Sequence, residues 1–395
     1  MSCLYDVAIV GAGPAGSYVA RLLAAAGHSV VVLDRRRADS VAPRCTGIVG
    51  MPYVELVDVD GDVILARARS ATLLSPSGAR LHVASPDVQA CVLDRALLEQ
   101  RLRLQAAASG AELCEDVTVS RLVRRDDVFD VSGLCAGSMC KWSSRAVVLA
   151  SGVSPGLVRQ VGLTPPPCYL VGAHVETEMD GVSETEVHML PDLAPGAFAW
   201  LVPVAPGRVR VGALCPRSAA LLARRFLERP GVRERLPRVP DGVALRPVPV
   251  SSSRRTYGDG VVLVGDAAGQ VKPTTGGGLY FGACAAVAAA DVVGRALESG
   301  DLSARALSAY ERRWQAAFGR ELRYGAAARG LYRRLSPAQV DRIIAHAERT
   351  GVAQTLLGSS RFSFDRHGST LLLGLLRCVS SLTGGKGTAV PEALE

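Results

Sequence analysis

Three glycines and one carboxylate near the start of the chain could do the first recognisable chemistry. Gly11, Gly13 and Gly16 fall at the spacing G-x-G-x-x-G, and Asp34 follows 18 residues after the last of them. The first glycine permits a tight turn, the second lets backbone approach a pyrophosphate, and the third packs helix on strand. A pyrophosphate would sit at the helix N-terminus, where free N–H groups and the helix dipole favour negative charge. Asp34 stands where an acid accepts hydrogen bonds from an adenosine ribose. A second stretch, Val261 to Gly282, places Gly265-Asp266 after an apolar run and Gly276-Gly277-Gly278-Leu279 at the start of a small-residue helix. Asp266 could accept a hydrogen bond from a polyol, while the N–H groups of Gly276, Gly277, Gly278 and Leu279 could face a pyrimidine edge that gains negative charge. FAD offers both a ribitol and such an edge, and NAD offers no ribitol, so the second stretch favours a flavin.

These residues need elements to hold them. Val7–Val10, Val30–Leu33, Ala146–Ala150 and Val261–Val264 are short apolar runs of the kind found in buried parallel strands. Helices are expected from Ser17 to about Ala26, from Arg95 to about Ala108 with Asp94 as N-cap, and from Gly276 to Leu297. Ala71–Leu74 and Arg80–Val83 flank a turn signal, and Pro43 to Gly50 suits a loop that returns to the ligand. From Cys168 to Val250 the pattern alternates, as in an antiparallel sheet with one face on a core. The expected fold is α/β, a Rossmann-like FAD-binding domain with an inserted antiparallel-sheet substrate domain and a helical C-terminal region. The expected boundaries are 1–165 and 251–300 for the discontinuous FAD-binding domain, 166–250 with part of 60–92 for the sheet domain, and 301–395 for the helices.

Composition narrows the alternatives. Apolar residues make up 48% and charged residues 21% of 395, which allows a large core and argues against disorder. The net charge of +8 rests on scattered arginine, the only lysines being Lys141, Lys272 and Lys386, and no nucleic-acid module is expected. Such a bias either reflects the coding composition of the genome or serves to attract phospholipid head groups or a diphosphate, with Lys272 near the flavin loop. Ten dispersed cysteines without a C-x-x-C pair support neither a zinc site nor a redox pair, so no metal is expected. No run is expected to span a bilayer, Leu371–Leu376 being cut short by Arg377. A cytoplasmic location follows, with peripheral contact at the inner face of the membrane left open.

Four motifs make the resemblance specific: GAGPAG with Asp34; Arg44-Cys45-Thr46-Gly47; Pro195 to Pro203; and Gly265 to Gly269 continuing to Gly278. Together they resemble the flavin-dependent geranylgeranyl reductase family, within the group that shares the p-hydroxybenzoate hydroxylase fold. The resemblance implies that Gly11, Gly13, Ala15, Gly16, Asp34, Arg95 and the Val119 backbone meet the adenosine and pyrophosphate half of FAD. It implies that Arg44, Cys45, Thr46, Gly47, Asp266, Gly277, Gly278 and Leu279 meet the ribitol and ring. Arg95 has an alternative as a surface helix residue, and Cys45 could be a catalytic proton donor or a small loop residue.

The family's pocket motif, P-x-x-Y-x-W-x-F-P, is altered here, with Phe198 for the tyrosine and Val202 for the second aromatic, while Pro195, Trp200 and Pro203 stay. Phe198, Trp200 and Pro203 would form an apolar wall for a polyprene chain. The implied reaction is reduction of C=C bonds in a geranylgeranyl chain of a membrane lipid or prenyl precursor, with electrons from NAD(P)H or ferredoxin. His174 and His188 are assigned structural roles. The alternatives are an aromatic or polyketide monooxygenase on the same scaffold, and a flavin-binding electron-transfer partner without turnover of its own.

Overall fold

The computed structural model describes residues 4–37, 45–357 and 362–382, so Arg44 lies outside the described residues. In chain order come β1 (Leu4–Val10), α1 (Pro14–Ala25), β2 (Val30–Leu33), β3 (Ile48–Gly50), α2 (Met51–Val57), β4 (Ile64–Ala68), β5 (Ser70–Leu74), β6 (Arg80–Ala84), β7 (Ala90–Leu93), α3 (Arg95–Ala108), β8 (Glu112–Cys114), β9 (Val117–Arg125), β10 (Val128–Cys135), β11 (Ser138–Leu149) and α4 (Pro155–Gln160). Then follow β12 (Tyr169–Glu178), β13 (Thr185–Met189), β14 (Phe198–Ala205), β15 (Arg208–Cys215), α5 (Ala219–Leu227), α6 (Pro230–Arg233), β16 (Ala244–Pro249), β17 (Tyr257–Gly258) and β18 (Val261–Leu263). The remaining helices are α7 (Leu279–Ser299), α8 (Ala304–Trp314), α9 (Arg320–Tyr332), α10 (Pro337–Thr350), α11 (Val352–Leu357) and α12 (Gly368–Leu382).

The first sheet runs β17-β18-β11-β1-β2-β8, with β10 and β9 added beyond β11. Its centre is parallel, β18, β11, β1, β2 and β8 all pointing one way. Helices cover both faces of such a sheet, which is why β2 and β18 are fully buried and lack polar alternation. Strand β11 does two jobs: its polar first half pairs antiparallel with β10 and its apolar second half pairs with β1. The all-apolar signal therefore shows only the second half, from Ala146.

The second sheet runs β16-β12-β15-β14-β13-β5-β6. It is antiparallel except where β5 joins β13 in parallel, a long-range pairing that brings residues 70–84 to its edge. Ala199, Leu201, Val211 and Ala213 pack on one face beneath α5, and Phe198, Leu214 and Leu170 lie on the other. A third sheet, β3-β7-β4, follows the loop that carries Cys45. Ile48–Gly50 is thus a strand rather than loop, and α2 follows it because Pro52 in the first helical turn needs no backbone donor.

One expectation needs correcting. Helix α7 is 21 residues long and is long and apolar enough to cross a membrane, although 67% of its apolar window is buried inside the molecule. It is the core helix of the first sheet's layer, packed through Phe281, Ala285, Ala289 and Val293. Its apolar faces answer to the helices and strands packed on them, while Val287, Arg295 and Glu298 line an outward stripe on which Asp291 pairs with Arg295.

Candidate active site

The first glycine corner is closed by backbone crowding. Gly11 has φ +103°, and a Cβ there would lie 2.5 Å from the Ala150 carbonyl oxygen; one on Gly16 would overlap the Gly11 carbonyl. Gly13 differs, since a Cβ there would meet nothing within 4 Å, and it is the N-cap of α1 without any side-chain cap. The N-terminus of α1 therefore opens onto space, with its donors unclaimed by side chains. Asp34, 6% exposed, accepts from the Ala12 N–H at 2.6 Å and the Arg36 N–H at 2.7 Å, with Arg103 at 3.5 Å. A carboxylate has about four acceptor sites, so a ribose hydroxyl can still be received. Val117, two residues before Val119, donates its N–H to the Asp34 carbonyl, which brings the start of β9 to the same edge.

The second corner meets the first. Gly265 and Gly282 each present their Cα side to the Ala15 methyl, where an added Cβ would come within 3.5 Å. Gly278 caps α7 with no side-chain acceptor, and a Cβ there would lie 3.1 Å from Asp266 Oδ1. Two uncapped helix N-termini thus meet around Ala15, with Asp34 beside one and Asp266 beside the other. Asp266 forms an ion pair with Arg246 of β16, a partner that sequence reasoning missed. The loop between is self-closed, the Lys272 N–H donating to Gly277 and the Gly276 N–H to Lys272, which presents Gly277, Gly278 and Leu279 as one turn.

The Cys45 loop is fixed from the sheet domain. Arg210 on β15, 3% exposed, donates through Nη1 to the carbonyls of Thr46 and Leu93, both at 2.8 Å, and through Nε to Glu176 at 3.0 Å. Gly47 has φ +75°, and its N–H points to Cys45 Sγ at 3.4 Å. Asp266 chiefly holds the Arg246 guanidinium pKa up against burial, with Cys45 adding to it, while burial works against the raised Arg95 value that Cys45 and Glu99 support. Arg95 is not a surface residue: it is 5% exposed and bonded to Glu99 at 2.5 Å. Its Nε and the buried Tyr53 hydroxyl have no hydrogen-bond partner among the described residues. Such unpaired buried donors are costly and await an acceptor. The open Gly13 side, the uncapped helix ends and these orphan donors fit an FAD that carries its own phosphate and ribitol acceptors.

The aromatic strand faces the same region. Phe198 and Trp200 stack obliquely with centroids 5.5 Å apart, among Leu170, Leu214, Val187 and Val248. Gly276 of the flavin loop abuts this face, its Cβ position lying 3.0 Å from Val248 and 3.5 Å from Leu214. Val202, next on the stripe, packs with Val92, Ile48 and Ala66 beyond the Cys45 loop. Pro203 is not brought to this face. It pairs with Val209, whose side chain belongs to the opposite cluster, because successive residues of a strand alternate. Trp200 lies flat on Gly212, where any Cβ would overlap the indole, and neither that glycine nor Arg210 was evident from motif spacing.

The histidines of the sheet serve structure. His188 sits 3.2 Å from Glu186 and edge-on to Phe226, while burial and Arg210 push His174 down to about 4. Lys272 is not open to a lipid head group. It is 4% exposed, donates to the Phe364 carbonyl at 3.0 Å and faces Asp365 at 3.7 Å. Asp365 also accepts from the Gly50 N–H at 3.0 Å, and His367 meets Thr274 Oγ1 at 2.9 Å. A C-terminal turn therefore pins both the flavin loop and β3.

The comparisons agree with this geometry. A family model described as FAD binding domain matches residues 4–122. Digeranylgeranylglycerophospholipid reductase 2 of Methanothermobacter thermautotrophicus is 30% identical over 361 residues, spanning 87% of this chain and 92% of the relative. Digeranylgeranylglycerophospholipid reductase 1 of Methanopyrus kandleri is 32% identical over 330 residues, 80% of this chain and 87% of that protein. Among solved structures, a geranylgeranyl bacteriochlorophyll reductase-like protein from Thermoplasma acidophilum superposes with a TM-score of 0.83 at 21% identity, covering 96% of this chain and 99% of that one. A p-nitrophenol 4-monooxygenase from Pseudomonas putida shares the fold at a TM-score of 0.71 and 19% identity, covering 98% and 100%. By its similarity to the two reductases over most of their length, the chain belongs to the digeranylgeranylglycerophospholipid reductase family.

Proposed function

We propose that this protein is an FAD-dependent oxidoreductase that reduces C=C bonds in the geranylgeranyl chains of a glycerophospholipid or its prenyl precursor. The observation that carries the reading is the meeting of the two uncapped helix ends around Ala15, with the Phe198–Trp200 stripe against the flavin loop, in a chain of this family. When bound and reduced, FAD supplies a hydride to one alkene carbon. An unactivated alkene has no carbonyl to polarise, so the chain's task is to exclude water, lay the polyprene flat and deliver a proton.

In this reading Gly11, Gly13, Ala15, Gly16, Asp34, Arg95 and Val119 hold the adenosine and pyrophosphate half. Thr46, Gly47, Asp266, Gly277, Gly278 and Leu279 hold the ribitol and ring. Phe198 and Trp200 supply the wall for the chain, and Cys45, fixed by Arg210 through Thr46, supplies the proton. An external carrier, NAD(P)H or ferredoxin, restores the electrons. Peripheral contact with the lipid-bearing membrane fits the exposed Leu371 and Leu376 of α12.

The test is anaerobic incubation with dithionite and digeranylgeranylglycerophospholipid, read by mass spectrometry as a gain of two hydrogens per bond. Turnover without oxygen separates a reductase from a monooxygenase. Reducible bound flavin with unchanged lipid would instead point to an electron-transfer protein and overturn the proposal.

A further inference from the structure

Helix α9 carries a buried cation that has no counter-charge among the described residues. Arg329 is 8% exposed, and its Nη2 has no hydrogen-bond partner among the described residues. The titratable groups that face it are Arg333, Tyr332 and Cys215, none of them a carboxylate. Burial and Arg333 push the Arg329 guanidinium down to about 10, a cost that a bound anion would remove. A buried donor left unsatisfied in this way is rare in a native structure and marks a place for a partner.

Its position along the helix says where that partner comes from. One turn before it, Gly325 packs on the flavin loop, with a Cβ position 3.1 Å from Pro273 and 3.6 Å from Thr274. One turn after it, the Arg333 stem covers Gly196, and Tyr332 donates to the Ala197 carbonyl at 2.6 Å. Residues four apart share a helix face and rise about 6 Å. Arg329 therefore lies between the Pro273–Thr274 loop and Gly196–Ala197, the residues that lead into the aromatic strand, and level with Cys215 at the end of β15, whose side chain belongs to the cluster beneath α5 rather than to the Phe198–Leu214 face.

We infer that Arg329, assisted by the exposed Arg333, is an anion subsite that receives the phosphate of the substrate's head group while the prenyl chains run along Phe198 and Trp200. This rests on the reading that the substrate is a prenylated phospholipid. A guanidinium suits the task because its planar donors match phosphate oxygens two at a time. It also supplies the charge that the buried Lys272, already matched by Asp365, does not.

The test uses full-length protein with FAD and compares two saturated lipids that cannot turn over, diphytanylglyceryl phosphate and diphytanylglycerol, by calorimetry in detergent micelles. The wild type is expected to bind the phosphate form at least about tenfold more tightly, the scale of one charge-assisted hydrogen-bonded contact. Arg329→Gln should cut that ratio by about the same factor, Arg329→Lys should keep part of it, and Arg333→Gln should cut it less. A ratio is insensitive to the fraction of protein that folds. An unchanged ratio in Arg329→Gln overturns the subsite and leaves the reductase reading standing. Arg329-dependent binding of the phosphate lipid by a protein that reduces no prenyl lipid keeps the subsite and removes the reductase reading. Arg329-dependent binding of inorganic phosphate with no discrimination between the lipids overturns the head-group assignment in favour of a free-anion site, and binding of neither lipid overturns both.

Discussion

The indole of Trp200 lies against the bare Cα of Gly212 on the neighbouring strand, and no side chain could stand between them. This contact sets the height of the aromatic wall above the flavin loop. Gly212→Ala forces the ring away, at about 1–3 kcal/mol of overpacking. The expected outcome is retained FAD with a substantial fall in lipid turnover and a shifted tryptophan emission. Unchanged kinetics would show that the wall is not set by this contact.

Arg210 joins the sheet domain to the Cys45 loop through two carbonyls and Glu176. Arg210→Met removes a buried charge and takes this donor from the Thr46 and Leu93 carbonyls, while Glu176 keeps Arg208, which should cost about 3 kcal/mol in denaturant unfolding. Turnover should fall further than stability alone explains, because the loop loses its fixed height. Equal activity per folded molecule would refute that link.

Cys45→Ala tests the proton source. Loss of a general acid costs roughly 10²–10⁴-fold in rate, while FAD content should stay at wild-type level. The split is read as kcat for the lipid against the absorbance of bound flavin. A rate within a factor of about two of wild type would return Cys45 to a space-filling loop residue.

Gly13 and Gly16 should fail differently. A Cβ on Gly16 overlaps the Gly11 carbonyl, so Gly16→Ala should destabilise the fold itself, whereas a Cβ on Gly13 meets only open space. Gly13→Ala should unfold within about 0.5 kcal/mol of wild type, as for an ordinary surface change, yet purify with much less flavin. A yellow, fully loaded Gly13→Ala protein would show that the cofactor does not approach this corner.

Acid should loosen the protein through two buried imidazoles. Burial lowers His174 to about 4, with Arg210 adding to it, and burial with Lys272 lowers His367 to about 3. Both are neutral when folded and take up protons when unfolded. Their stabilising contribution is full above about pH 6.5 and is lost as pH falls towards the folded values, at about 1.4 kcal/mol per pH unit for each group. His367→Gln should flatten this limb between pH 6 and 4 in unfolding measurements. A slope equal to wild type would exclude His367 as a contributor.

The two glycine corners were legible in sequence because each is local: strand, glycines and helix follow within about twenty residues, and their burial leaves a plain apolar signature. The Asp94 cap of α3 was legible for the same reason, its carboxylate accepting from Ala96 and Leu97 nearby in the chain. Arg210, Gly212, Arg246 and Asp365 were not, because each acts on a partner brought near only by sheet register or by the returning C-terminus. Pro203 shows the opposite error, in which a motif suggests a shared role that strand alternation divides between two faces. The polar half of β11 was hidden because an exposed meander needs no apolar run.

The turn that carries Asp365 has a consequence for how the molecule is made. Lys272 precedes Asp365 by more than ninety residues, so a nascent chain that has exposed both glycine corners has at most Glu321 to set against that ammonium. The turn that ties the Lys272 loop to β3 thus belongs to the last stage of synthesis, and a chain released before Phe364 would carry both glycine corners without that tie.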